Sequence, residues 1–352
     1  MKNEYLTYIK LTVLLIAFLS LASCSNDDNP NNLDETIFVR HKNADMPAYI
    51  RGNGAEKVFL VTLHGGPGGG GLEFVGDAFN IIEDQYGVVY FDQRGSGMSQ
   101  GSYTEEDVSL DLMAEDVLAL VKVLKRKYGN DSQFFLLGHS WGGTLGTATL
   151  VKDQSDFIGW IEVDGANNPA GLYDQYIETF TITANAQIAL GNSVDFWESI
   201  LEFVSKVDPI SNLDDFSELN SRAFDLEEKL TDDGFINNPV SNADRKKLTF
   251  EYNASTAIWN GRQIATILID QQGLFQVTDF TSQLPEITIP SLFISGQYDM
   301  IVPVVSAQKA FENIGSEVKE LQIFDRSGHS PLDTEPERFA AEVLRFLEAN
   351  KQ

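Results

Sequence analysis

Short apolar runs closed by glycine clusters set the rhythm of the first half of the chain. Val58-Phe59-Leu60-Val61-Thr62-Leu63 stops at a run of glycines, and Val88-Val89-Tyr90-Phe91 is closed by Asp92-Gln93-Arg94-Gly95. Runs of this kind, bounded by turn residues, predict buried strands. Met113, Val117, Leu120, Val121, Leu124 and Tyr128 then recur three and four apart, as on one helix face. Lys125-Arg126-Lys127 and Gly129 mark the end of that helix, where cations and a glycine are favoured. Phe134 to Leu137 reads as a strand running straight into Gly138-His139-Ser140, and Ile158 to Val163 as another.

The rhythm returns near the end of the chain. Ser291 to Ser295 and Leu321 to Phe324 read as strands, and Ser306 to Ile314 and Glu337 to Leu347 as helices. Strands alternating with helices imply right-handed crossovers and a mostly parallel central sheet flanked by helices, an α/β fold. Between about 166 and 285 the pattern changes to helical periods rich in aromatic and acidic residues, with Asn237-Asn238-Pro239 marking a turn. That segment reads as a helical cap inserted between two parts of one core, 35–165 and 286–352. A chain of 352 residues is long enough to carry such an insertion.

The first residues carry a different signal. Lys2 and Lys10 precede an apolar run, Leu11 to Leu21, that is too short to predict a membrane span. It ends in Leu21-Ala22-Ser23-Cys24, and small residues after such a run mark a cleavage site. With cysteine at the junction the tetrad resembles the bacterial lipobox, in which that cysteine is lipidated. Cys24 is the only cysteine, so it can form no internal disulfide. The expectation is a lipoprotein signal peptide over 1–23 and a flexible tether over 24–34. The tether is polar and rich in Asn and Pro, and its Ser-Asn-Asp-Asp start resembles surface-export signals of Bacteroidetes lipoproteins. An exported protein of the bacterial cell envelope follows, at the outer membrane and held there by lipid alone. The net charge of −27 repels nucleic acid and anionic lipid.

Gly138-His139-Ser140-Trp141-Gly142 fits G-x-S-x-G, with a strand before it and the small-residue segment Gly143 to Ala148 opening a helix after it. That setting suits a nucleophile elbow, in which a strained turn lifts the serine hydroxyl above the sheet. A serine hydroxyl needs a base. Of the four histidines, His41 is expected at the surface, His139 in packing, and His64 in the glycine loop. His329, in a loop between the last strand and the last helix, is the candidate base. The acid that orients it is either Asp299, just after a strand, or Asp164, which ends the strand Ile158 to Val163. His64-Gly65-Gly66-Pro67-Gly68-Gly69-Gly70-Gly71 follows a strand and suits an oxyanion hole, where glycine lets backbone N–H groups approach closely. The N–H groups of Gly66 and Trp141 are the candidate donors. No G-K-[ST] follows, which excludes a phosphate loop.

Three of these segments together, His64 to Gly68, Asp92-Gln93-Arg94-Gly95-Ser96-Gly97 and Gly138 to Gly143, resemble the prolyl iminopeptidase family of α/β-hydrolases. Gly296-Gln297-Tyr298-Asp299 and Gly328-His329-Ser330 extend the resemblance over the whole core. It implies the α/β-hydrolase fold with a helical cap, a Ser140-His329-Asp299 triad, no cofactor and no metal. It also implies release of proline or another small residue from the N-terminus of short peptides. It gives Asp92 and Arg94 a structural role beneath the site. Cap glutamates hold the substrate ammonium in that family. The Trp-x-x-Trp-Glu pattern associated with them is missing here, and Glu178, Glu198 and Glu251 stand as candidates. A carboxylesterase or lactonase on the same triad is the alternative within enzymes, and an inactive surface binding module the alternative outside them. Epoxide hydrolase and dehalogenase chemistry is disfavoured, because the elbow would then carry aspartate.

Overall fold

A computed structural model describes residues 30–101, 103–207, 213–240 and 253–352. The signal segment, Cys24 and Glu251 lie outside the described residues.

Eight strands form one sheet in the order β1-β2-β4-β3-β5-β6-β7-β8. They are β1 Leu33–His41, β2 Ala44–Gly52, β3 Val58–Leu63, β4 Gly87–Phe91, β5 Gln133–His139, β6 Gly159–Val163, β7 Ser291–Gly296 and β8 Lys319–Phe324. β1 and β2 pair antiparallel, as do β2 and β4, and the remaining neighbours are parallel. The strand–helix alternation of the sequence accounts for the parallel part. β1 begins two residues inside the stretch read as a tether. Its three consecutive apolar residues, Ile37, Phe38 and Val39, lie between polar and charged ones, so the apolar run is short.

The parallel strands are apolar on consecutive residues because both faces of the sheet are covered. Phe59, Val61 and Leu63 of β3 point into one core cluster, and Val58 and Leu60 into the other. Helices α2 Leu110–Tyr128, α3 Trp141–Lys152 and α9 Val304–Asn313 cover the first face. α1 Asp77–Glu83 and α11 Pro336–Asn350 cover the second. In α2, Ser109 caps the start by accepting the Leu112 N–H at 3.1 Å, and Gly129 ends the helix at φ 115°. Both terminal groups are those a helix of this length needs.

The described residues between β6 and β7 hold α4 Leu172–Leu190, α5 Val194–Val204, α6 Leu213–Asp232, α7 Ala254–Ala265, a π-helical turn Thr266–Gln271 and α8 Leu274–Val277, with no strand among them. Tyr176, Phe180, Trp197 and Leu226 of these helices share a buried cluster with Met300, Ile301 and Val302, in the loop after β7. Apolar burial therefore seats the helical segment on the strand ends of the sheet. Short α10, Pro331–Thr334, precedes α11. No helix of the described residues is long and apolar enough to cross a membrane.

Candidate active site

β5 delivers Ser140 to the start of α3 with φ 57° and ψ −120°. Positive φ strains a residue that carries a Cβ, by roughly 1–2 kcal/mol. Close packing holds it there. A Cβ on Gly138 would lie 2.2 Å from the Gly142 carbonyl oxygen, and one on Gly142 would lie 2.0 Å from that of Leu63. The two glycines of G-x-S-x-G are thus places where backbone meets backbone. Hydrogen bonds complete the turn: Ser140 N donates to the Val163 carbonyl at 3.0 Å, and Gly143 N donates to the Ser140 carbonyl at 2.8 Å.

His329 lies in the loop after β8, and its Nδ1 is 2.9 Å from Asp299 Oδ2, beyond β7. The other Asp299 oxygen, Oδ1, accepts the N–H groups of Ile301 and Val302, each at 2.8 Å. Burial, and after it the charge of Glu227, push the Asp299 carboxyl well up, while those N–H groups pull it down. Of the two acids the sequence left open, Asp299 is the one on the imidazole. Asp164 is also buried, at the end of β6.

The glycine loop closes on the serine. A Cβ on Gly65 would come within 3.3 Å of Ser140 Cβ, and Gly66, Ser140 and Trp141 share the lining of one small cavity of about 50 Å³. Trp141 is the first residue of α3, so its backbone N–H has no acceptor within the helix. Its indole N–H donates to Gln93 Oε1 at 2.9 Å. Gln93 in turn gives its backbone N–H to His64 Nε2 at 3.3 Å and its amide N–H to the His64 carbonyl at 3.0 Å. Nδ1 of His64 then donates to the Gly65 carbonyl at 2.9 Å. Complete burial lowers the His64 imidazole to about 4, so it is neutral and braces the loop.

Asp92 and Arg94 hold this floor from below. Asp92 accepts the N–H groups of Gly71 at 2.7 Å and Met98 at 2.8 Å. Arg94 makes a two-pronged, fully buried pair with Asp116, at 2.8 Å on each arm. His41, expected at the surface, is half-buried instead. Its Nδ1 lies 2.6 Å from Asp116 Oδ1, because β1 runs alongside α2.

Other placements depart from the sequence reading. Glu178 and Glu198 are exposed on α4 and α5 and do not line the cavity. Among the described residues, the cap carboxylate that reaches the site is Glu227 of α6, which the sequence reading missed. Its oxygens accept the backbone N–H of Met300 at 2.9 Å and of His329 at 3.1 Å. It carries no motif; its helical spacing alone could have flagged it. His139 does more than pack: its Nε2 lies 2.8 Å from the His329 carbonyl oxygen, and the two rings are 4.9 Å apart. His139, Asp164 and His329 bring ligand-type atoms within 4.8 Å of one another.

Residues 58–336 match the alpha/beta hydrolase fold family, and the chain belongs to it. Within that family the chain is similar to prolyl iminopeptidases. It is 28% identical to the proline iminopeptidase of Saccharolobus solfataricus, over 82% of this chain and 84% of the relative. It is 26% identical to the probable aminopeptidase YbaC of Bacillus subtilis, over 86% and 93%. The solved proline iminopeptidase of Mycobacterium smegmatis superposes with a TM-score of 0.61, covering 90% of this chain and 98% of that one at 18% identity.

Proposed function

We propose that the chain is a serine hydrolase of the aminopeptidase kind, which releases N-terminal proline or another small apolar residue from short peptides. Ser140 attacks the acyl carbon as His329 takes its proton, and Asp299 orients the imidazole and stabilises its cationic form. The backbone N–H groups of Gly66 and Trp141 receive the developing oxyanion. His329 then returns the proton to the leaving amine, and water releases the acyl enzyme. The carrying observation is the 2.9 Å contact between His329 and Asp299, together with a strained serine at a helix start whose chain neighbour His139 reaches the His329 carbonyl at 2.8 Å. The proline iminopeptidase relative supports the peptide substrate.

One observation favours an esterase or lactonase on the same triad. Among the described residues the Ser140 cavity is lined by Leu172, Tyr176, Leu274, Phe275, Ile301 and Val302, by the small residues around them and by Asn220, with no carboxylate. A substrate ammonium would need one. Glu251 is the remaining acidic candidate for that role.

The discriminating experiment compares a proline arylamide, its N-acetyl form and an aryl ester. Faster turnover of the free amine is expected, and equal turnover of the blocked amide would replace the peptidase reading with the esterase one. Fluorophosphonate labelling that Ser140→Ala abolishes is expected under either. A wild-type chain that does not label would leave an inactive binding module. We also propose export as a lipoprotein anchored through Cys24, on the strength of the lipobox-like junction.

A further inference from the structure

β6 and β7 are parallel neighbours, with Val163 opposite Ile294. The residues that follow each strand therefore emerge side by side. Asp164 follows β6 at φ 45°, a strained setting for a residue with a Cβ, and is 1% exposed. Its Oδ1 accepts the Gly296 N–H at 2.9 Å, which ties it to the turn carrying Asp299. Its Oδ2 is buried and receives no N–H or O–H in the described structure. The group it faces is the Asp299 carboxylate, within side-chain hydrogen-bonding reach. A carboxyl oxygen of Asp164 also lies within 4.8 Å of a ring nitrogen of His329 and of His139.

We infer that Asp164 is a positioning residue of the triad: its carboxyl keeps a proton at neutral pH and donates it in a hydrogen bond to Asp299, so that a pair of acids, not one, stands behind His329. Two carboxylates buried side by side cannot both be ionised. The donors decide which one keeps the proton. Asp299 receives two backbone N–H groups and faces the imidazole; Asp164 receives one N–H. Burial and the Asp299 charge push the Asp164 carboxyl well above the usual carboxylate range, while the Gly296 N–H and a charged His329 oppose them. Other titratable groups here are His139, beside Asp164, Glu227, which faces Asp299 and His329 from the cap, and the buried Tyr176 of α4, which feels the charges of Asp299 and Glu227.

The role rests on Ser140 and His329 being nucleophile and base. A hydrogen bond from Asp164 draws charge out of Asp299 and weakens its hold on the imidazolium. An ionised Asp164 would do the reverse.

The test is the pH dependence of fluorophosphonate labelling, whose acid-limb midpoint reports His329 in the free protein. Asp164→Asn keeps a donor toward Asp299 and an acceptor for Gly296 but has no proton to lose, and its midpoint should match wild type. Asp164→Ala removes the donor, and its midpoint should rise by roughly 0.5–1 unit. A midpoint that falls by about a unit in Asp164→Asn overturns the inference, since Asp164 would then be ionised. A midpoint unmoved in a folded Asp164→Ala overturns it as well, since Asp164 would then be a structural residue only. The infrared difference spectrum of wild type against Asp164→Asn at pH 7 should contain the carbonyl band of a buried protonated acid, and its absence overturns the inference even if Asp164→Ala does not fold. Failure of wild type to label at any pH would instead strike the nucleophile assignment and leave the infrared result standing.

Discussion

Glu162 sits on β6 at 1% exposure, with Oε1 held by the Asn167 side chain at 3.1 Å. Burial raises its carboxyl to about 7. In the unfolded chain the same group titrates near 4.5. Its favourable contribution is therefore complete below pH 4.5 and is lost as pH rises through 7, where a buried charge must be tolerated. His64 has the opposite sign. Its folded value of about 4 lies below the unfolded 6.5, so its contribution is present above 6.5 and lost as pH falls toward 4. Each shift corresponds to about 3 kcal/mol, so between these limits the two effects offset one another. Glu162→Gln separates them. At pH 5 the variant should match wild type within about 1 kcal/mol, and by pH 8 it should gain about 3 kcal/mol relative to it, since the amide never ionises. Urea denaturation at the two pH values measures this. A difference that does not change with pH would mean that Glu162 is ionised, or neutral, throughout.

At the scale of elements, α6 links the cap to the loops of the proposed triad. Its Glu227 accepts N–H groups from the Asp299 loop and the His329 loop at once. Removing the carboxylate leaves both donors without that acceptor, a loss of about 1.5–3 kcal/mol for a charged hydrogen bond. Glu227→Ala should therefore lower kcat/KM by about 10- to 100-fold. Glu228→Ala, on the exposed side of the same helix, should change it less than about twofold. Equal effects of the two variants would detach α6 from the positioning of the triad. Such long-range links are where the sequence was least legible. The parallel strands β3 to β7 could be read from apolar runs, because both their faces are buried, and the half-buried edge strand β8 from its last four residues. β1 and β2 could not: β1 has an apolar run of only three residues, Ile37 to Val39, and β2 holds Pro47, which argues against a strand. Ser140 and His329 stood out through glycine-rich motifs, since close backbone approach restricts residue choice. Asp164 and Glu227 have no such local signature. Their meaning comes from strand adjacency and cap packing, which sequence spacing does not encode.

At the scale of the whole molecule, the net charge and the proposed lipid would act in opposite directions. The chain carries 52 acidic against 25 basic residues, a surface that anionic headgroups repel. Any membrane attachment must then come from apolar insertion, and the described residues contain no helix suited to span a bilayer. Acylation at Cys24 would supply it, at about 0.8 kcal/mol per buried CH₂. The two kinds of attachment respond differently to salt. Electrostatic adsorption weakens as ions screen it, whereas an acyl anchor is unaffected or strengthened. Wild type expressed in a bacterium that processes lipoproteins should therefore stay with the membrane pellet through a molar salt wash and leave it in detergent. Cys24→Ser should appear in the soluble fraction, or accumulate as a longer, uncleaved precursor. If Cys24→Ser fractionates and migrates as wild type does, the anchor is not at Cys24. If salt alone releases wild type, the attachment is through a charged partner, and the lipobox-like tetrad is the end of an ordinary signal segment.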